Sequence, residues 1–244
     1  MSFRQSFCSF EEELLHGCTR DAVKVILFGA SGMVGQGVLR ECLLDQDVES
    51  VLVIGRSALG QQHGKLREIV HGDFTNFDAI EDRLRSYDAC FFCLGVSSAG
   101  MREADYRRVT YDLTMAAART LARLNPGMTF IYVSGAGTDS SGRGRSMWAR
   151  VKGETENALL RLPFKAAYMF RPGVIQPLHG IQSKTKIYRV FYAVLAPFIP
   201  WLMAAFPKYM TTTEQVGRAM IRVARQGLAK PVLESQDIND YIEA

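Results

Sequence analysis

Val23-Lys-Val-Ile-Leu-Phe28, followed by Gly29-Ala-Ser-Gly32-Met-Val-Gly35, is the stretch whose reading decides the fold. Its first six residues form a short apolar run rich in β-branched side chains, the pattern of a strand buried on both faces of a parallel sheet. Three glycines follow at the spacing G-x-x-G-x-x-G, and from Met33 to Leu44 apolar residues recur at helical period. Each glycine has a physical task. Gly29 can take the positive φ of a tight turn, Gly32 leaves the backbone open to a pyrophosphate, and Gly35 lets the helix lie close on the sheet. The unpaired N–H groups at the helix start attract phosphate oxygens. A glycine triplet alone is weak, but here a strand precedes it and a helix follows, which is the context the motif requires. The stretch therefore reads as a dinucleotide cradle made by Gly29, Ser31, Gly32, Met33, Val34 and Gly35.

Outward from this unit the same alternation repeats. Val48 to Ile54 reads as a second strand and Glu68 to Val70 as a third, after which Thr75 can cap a helix running toward Arg85. Ala89 to Leu94 is a fourth strand. A long amphipathic helix from Asp105 to Leu124 is stopped by Asn125-Pro126-Gly127. Thr129 to Val133 is a fifth strand, Met147 to Leu160 a helix and Ala166 to Phe170 a sixth strand. Past Arg171 the alternation lapses until a last helix, Thr213 to Gln226, capped by Thr212 or Thr213 and ended by Gly227. Strands alternating with helices specify an α/β Rossmann fold, a doubly wound parallel sheet with helices on both faces and a small C-terminal substrate lobe. Residues 1–21 read as an extension with a short helix at Phe10 to Leu15. Residues 22–244 read as one domain, with 174–212 as a substrate-side lobe or lid.

The chain has 244 residues, 48% hydrophobic and 22% charged, enough for one domain with a full core. A net charge of +4 without a Lys/Arg stripe excludes a nucleic-acid surface. Arg143 and Arg145, among glycines, read as a mobile basic loop. Five cysteines and no signal-like N-terminus, since Glu11, Glu12 and Glu13 interrupt it, lead to an expectation of reduced thiols and a cytoplasmic location. Cys90 and Cys93 have redox spacing, but three residues apart on a strand they face opposite sides and read as core. Ile187 to Phe206 approaches membrane-spanning length. Arg189, Pro197 and Pro200 argue instead for an apolar lid, with a peripheral membrane contact as the alternative and no integral span. Four histidines and no tight His/Cys/carboxylate cluster argue against a metal.

The end of the second strand separates the two nicotinamide cofactors. An NAD site usually places Asp or Glu there for the ribose 2′-hydroxyl, whereas this chain reads Val53-Ile54-Gly55-Arg56-Ser57. Arg56 can pair with a 2′-phosphate and stack on adenine, and Ser57 can donate a hydrogen bond to it, so NADP(H) is expected in preference to NAD(H).

At this point the chain resembles the short-chain dehydrogenase/reductase superfamily, in its atypical and extended, epimerase/dehydratase-like branch. Within that branch it is similar to the Tat-interacting-protein-like oxidoreductases. The resemblance runs from Val23 to Gln226 and rests on motifs in order. Besides the glycine loop, His71-Gly-Asp73-Phe74 lies where it implies an adenine contact by Asp73. Leu94-Gly95-Val96 lies where the backbone passes adenine and ribose. Ser134, after Ile131-Tyr-Val, holds the place of the catalytic Ser, and Lys152 that of the catalytic Lys. Pro172, Gly173 and Val174 hold the turn that meets the nicotinamide amide.

The departures matter equally. The resemblance implies a Tyr four residues before the Lys, yet that position is Trp148, whose indole can donate a hydrogen bond but has no accessible ionisation. Gly135 follows Ser134 where many relatives carry a second Ser, so Thr138 is a substitute, and Thr110 stands where many carry Asn. Lys152 remains the residue expected to clamp the nicotinamide ribose, its competing role being an ion pair with Glu156. His179 is a candidate proton donor, and Ser97 and Ser98 are candidate substrate contacts. The expectation is an NADP(H)-dependent oxidoreductase acting on an apolar carbonyl, alcohol or enone. An NADP(H) sensor without turnover is the alternative, and a sugar-nucleotide epimerase or dehydratase the weaker one. The helices at 105–124 and 147–160 leave a homodimer open.

Overall fold

The computed structural model describes residues 22–181 and 207–243; the expected helix at 10–15 and the apolar stretch at 187–206 lie outside them. The strands are β1 (Val23–Phe28), β2 (Val48–Gly55), β3 (Leu66–Val70), β4 (Ala89–Phe92), β5 (Thr129–Val133), β6 (Ala166–Arg171), β7 (Val174–Gln176), β8 (Met210–Thr212) and β9 (Val232–Glu234). The helices are α1 (Met33–Leu44), α2 (Glu103–Arg107), α3 (Leu113–Leu124), α4 (Met147–Leu159), α5 (Thr213–Gln226) and α6 (Ser235–Glu243). Seven strands form one sheet in the order β3-β2-β1-β4-β5-β6-β9, every pair parallel, while β7 and β8 pair separately. The order reverses between β1 and β4, which opens a crevice at the carboxyl ends of the strands.

The sheet is buried on both faces, as the unbroken apolar runs of its central strands require. Val25 and Leu27 of β1 meet α1 and α5 through Val38, Cys42, Val216 and Met220. Ile26 and Phe28 face the other way, toward Met115 and Leu121 of α3 and Leu159 of α4. Cys90 and Cys93 likewise lie on opposite faces, and burial pushes both thiols well up from their ordinary range. They are core residues, too protonated to serve as a redox pair.

Several elements depart from the sequence expectation. Thr75 caps no helix, because its N–H and hydroxyl are committed to the Asp73 carboxylate at 2.8 and 2.5 Å. The helix there is a 3₁₀ turn, Asp78–Leu84, begun by the Asn76 side chain, which accepts from the Asp78 N–H at 2.7 Å. The long helix starts at Glu103 and passes through a π-helical turn, Arg108–Asp112. Beyond α5, β9 extends the sheet and α6 closes the chain, neither of them anticipated. The basic loop at 141–146 is tied down: Asp139 accepts from the N–H groups of Ser141 and Gly144, and Arg150 donates to the carbonyls of Gly144 and Arg145. Among the described residues no helix is long and apolar enough to cross a membrane.

The start of α5 follows the expected chemistry. Thr212 accepts from the Gln215 N–H at 3.0 Å, Gln215 accepts from the Thr212 N–H at 2.9 Å, and Gly227 ends the helix at φ +70°. What allows α5 to approach α1 is a glycine on each helix. A Cβ on Gly37 would stand 2.5 Å from Cβ of Thr213, and one on Gly217 would stand 2.7 Å from Cγ of Glu41. Helix propensity alone would favour Gly37→Ala by ~1 kcal/mol. Overpacking costs ~1–3 kcal/mol, so the clash should dominate. Urea denaturation should therefore show Gly37→Ala destabilised, while Gly64→Ala, with open space at its Cβ, stays within ~0.5 kcal/mol of the parent. An unchanged Gly37→Ala would refute the close contact.

Candidate functional site

The glycine turn leaves β1 at the reversal point of the sheet. Gly29 sits at φ +80°, and a Cβ there would stand 2.6 Å from the Cys93 carbonyl carbon at the end of β4. A Cβ on Gly35 would lie 2.1 Å from the Gly29 oxygen, so helix and turn are in backbone contact. Gly32 is different: its N–H donates to the Gly29 carbonyl at 2.9 Å, but a Cβ would meet only that oxygen, at 3.3 Å. The space above Gly32 is open, no side chain caps the N-terminus of α1, and no acidic residue stands in its first turn. Met33, Val34 and Gly35 thus offer their N–H groups to a phosphate, and the turn fits a dinucleotide.

At the end of β2, Arg56 and Ser57 are exposed, and Arg56 has no ion-pair partner among the described residues. Beside them lies a groove of about 650 Å³ lined by Ser31, Arg40, Ser57, Gln61 and His63, with Ile181 at its edge. Arg40 was not anticipated; it sits two turns into α1 and shares its guanidinium with Glu41 at 2.5 Å. At the end of β3, Asp73 is exposed, and the Thr75 hydroxyl and N–H hold its carboxyl below the usual range. Phe74 turns inward instead, edge-on to Phe28 at 6.0 Å, so its ring belongs to the core. Leu94 packs on the core while Gly95 and Val96 are exposed in the loop after β4.

The end of β5 carries the polar centre. Lys152 on α4 donates to the carbonyl of Ser134 at 3.1 Å and lies 3.4 Å from that of Val133, with its Nζ 5.2 Å from the Tyr132 ring centre. Burial pulls its pKa from 10.5 to about 8, and Glu156 opposes that shift only in part. Glu156 is not its ion-pair partner: Arg171 takes both carboxylate oxygens, at 3.0 and 2.5 Å. The Ser134 and Thr138 hydroxyls are 2.8 Å apart, and Thr138 also donates to the Gly135 carbonyl at 2.7 Å. A hydroxyl has one proton, so Ser134 is the donor between them and keeps only lone pairs to offer. The Trp148 ring lies along Gly135 and Gly137, where added Cβ atoms would touch it at 3.9 and 3.7 Å.

At the end of β6 the Pro172 carbonyl accepts from Ala136 at 2.9 Å and the Gly173 N–H donates to Ser235 Oγ at 2.8 Å. The Gly173 donor is therefore already used, and Val174, 40% exposed, opens β7 beside it. His179 is drawn away from this centre to Glu214 on α5, at 2.7 Å, and is no proton donor for it. Of the two candidate serines after β4, Ser97 accepts from the Ala99 N–H at 3.3 Å. Glu41, His179 and Glu214 bring ligand atoms within 4.8 Å of one another, yet Arg218 spans both carboxylates at 3.2 and 2.7 Å and Arg40 adds a third contact. That cluster is already charge-compensated. Sequence reasoning missed Arg171, Arg40 and Ser235. The spacing Lys152-x-x-x-Glu156 was a signal, but it pointed to the wrong partner.

Comparison with known proteins agrees with this geometry. The model of the NAD(P)H-binding family matches residues 29–161. Protein FMP52, mitochondrial, of Meyerozyma guilliermondii is 24% identical over 216 residues, 84% of this chain and 87% of its own. Protein HTATIP2 of Rattus norvegicus is 30% identical over 155 residues, 62% of each chain. The Bordetella bronchiseptica enzyme WbmF, solved in complex with NAD+, shares the fold with a TM-score of 0.63 at 16% identity, covering 92% of this chain and 78% of its own.

Two outcomes follow from the electrostatics. An aspartate at Gly32 has room but sets a charge against the phosphates, and like charges in contact cost several kcal/mol. Titration calorimetry with NADPH should show Gly32→Asp binding ~100-fold weaker or worse with its circular dichroism unchanged; parental affinity would remove the cradle. Lys152 has a folded pKa below its unfolded value, so the unfolded chain holds the proton more tightly between about 8 and 10.5. The group's contribution is most favourable above the upper value, falls as the pH drops through this window and is flat below it. Lys152→Met should therefore raise the melting temperature at pH 7 and raise it less at pH 10; an equal gain at both would contradict the lowered pKa of the half-buried ammonium.

Proposed function

The chain belongs to the NAD(P)H-binding family, and on that premise we propose that it is an NADP(H)-dependent oxidoreductase of the short-chain dehydrogenase/reductase type. The observation that carries this reading is Lys152, held at the end of β5 on the same sheet edge as the uncapped start of α1. An ammonium there suits the hydroxyls of a nicotinamide ribose, as the uncapped turn suits the pyrophosphate. The bound nicotinamide supplies hydride chemistry, and the chain's residues supply binding, orientation and a proton. Trp148 and the exposed Val96 and Val174 favour an apolar carbonyl, alcohol or enone. With indole in place of a phenol, the proton source is atypical. Lys152, at about 8, is the described group at the site best matched to neutral pH.

Arg56 and Ser57 support the preference for NADP(H), since both are exposed beside the groove that Ser31 and Arg40 also line. A charge-assisted hydrogen bond is worth ~1.5–3 kcal/mol, so Arg56→Ala should narrow the NADPH-over-NADH ratio of dissociation constants ~10–100-fold. Equal binding of both cofactors by the parent would sink the preference.

A second reading, an NADP(H) sensor without turnover, has its own support. Trp148 removes the usual acid, and the Ser134 hydroxyl is committed as a hydrogen-bond donor to Thr138 Oγ1. A panel of ketones, aldehydes and enones decides between them. NADPH oxidation by the parent that falls at least tenfold in Lys152→Ala supports the enzyme, and Trp148→Tyr should then raise the rate. Cofactor binding with no oxidation across the panel favours the sensor. We place the protein in the cytoplasm on its free thiols at Cys42, Cys90 and Cys93. The mitochondrial name of the Meyerozyma relative marks the competing compartment, and microscopy of the tagged full chain separates the two.

A further inference from the structure

Glu156 is 1% exposed, one helical turn after Lys152 on the same face of α4. Left to itself, a buried carboxylate at that spacing would take the lysine ammonium as its counter-ion. It does not, because Arg171 reaches across from the end of β6. Its Nε and Nη2 donate to the two Glu156 oxygens at 3.0 and 2.5 Å, a fork-to-fork pair. The guanidinium is fixed in turn by Ser140 Oγ at 2.5 Å and Glu234 at 3.5 Å, so β5's following loop, β6, β9 and α4 all meet at it. Freed from Glu156, the Lys152 ammonium turns to the carbonyls of Val133 and Ser134.

We propose that Arg171 is a positioning residue for the cofactor site: its grip on Glu156 fixes the turn of α4 that carries Lys152 and keeps that carboxylate from becoming the ammonium's counter-ion. This role rests on the reading of Lys152 as the ribose-binding lysine. The charged and titratable groups around Lys152 are Glu156 on its own helix, Tyr132 on β5, Tyr106 on α2 beside Tyr132, Arg171 on β6 and Glu234 on β9. Burial raises both tyrosines above their ordinary range, so neither carries charge near neutrality. Glu234 is engaged with Arg171 from the far side. The balance at Lys152 therefore depends on how completely Arg171 holds Glu156.

The test is the titration of Lys152 in the full chain, followed by NMR of reductively ¹³C-methylated lysines, with the Lys152 signal assigned by its loss in Lys152→Ala. In Arg171→Gln, Glu156 turns to Lys152 and the midpoint should rise by about one pH unit or more. In Arg171→Met with Glu156→Met, which leaves no orphaned charge if the single variant fails to fold, the midpoint should instead fall below the parent's. Arg171→Lys should lie between Arg171→Gln and the parent. Opposite movements in the first two are not the result of a purely structural anchor, and a midpoint unmoved in both overturns the proposal. NADPH affinity against pH tests the reading beneath it separately. It should weaken above pH 8 in the parent, and in Lys152→Ala lose that break. An unaltered profile in Lys152→Ala would remove the ribose role, and with it the positioning role, whatever the NMR midpoints do.

Discussion

Between the Gly29 carbonyl and the backbone of Gly35 there is no room for a methyl group, and that closeness organises the rest of the molecule. The strand must turn within a few residues, which Gly29 does at positive φ. The turn must also lie against the end of β4, where any side chain on Gly29 would strike Cys93 and Leu94. Once those distances are met, α1 begins directly over the reversal point of the sheet, with its N–H groups aimed into the crevice. The same economy of volume recurs at Gly37 and Gly217, which bring α5 against α1. The site is thus fixed from below by close contacts between backbones.

This explains which parts were legible in the sequence. Val23–Phe28 with its glycines could be read directly, because a buried strand, a positive-φ turn and an amphipathic helix each leave a local signature. The bounds of β5, α1 and α5 followed for the same reason, including a threonine cap at the start of α5. The π-helical turn at Arg108–Asp112 could not be read, since its side chains look like those of any helix. The strand β9 has only Val232 to Glu234 to announce it, too short for a period. Asp73 and Thr75 show local chemistry misassigned: a Thr suited to a cap spends both its donors on a neighbouring carboxylate.

The site divides in the same way. Its cofactor half is written in backbone geometry, which leaves a local signature at Gly29, Gly32 and Gly35, whereas the aromatic core claims the Phe74 ring and Ser235 the Gly173 donor. Its polar half depends on contacts between residues far apart in sequence. Glu156 and Arg171 are 15 positions apart, and Gly173 and Ser235 62. No spacing rule reaches that far. The direction of the Ser134 proton is subtler still, since it is settled by what Thr138 does with its own.

Three features of this edge each leave positive charge or N–H donors without an anion. A helix N-terminus without a side-chain cap or an acid leaves donors unmatched. Arg56 stands exposed without a carboxylate among the described residues, and Lys152 holds a half-buried ammonium whose carboxylate neighbour belongs to another cation. Independent explanations can be found for any one. Together they have one sign, and all three stand at the carboxyl edge of one parallel sheet, by the ends of β1, β2 and β5. A single extended ligand with phosphate at its middle and hydroxyls toward its ends answers them at once. The convergence argues for an anionic dinucleotide more strongly than the glycine spacing does. The spacing needs only a tight turn, whereas the charges need something to bind.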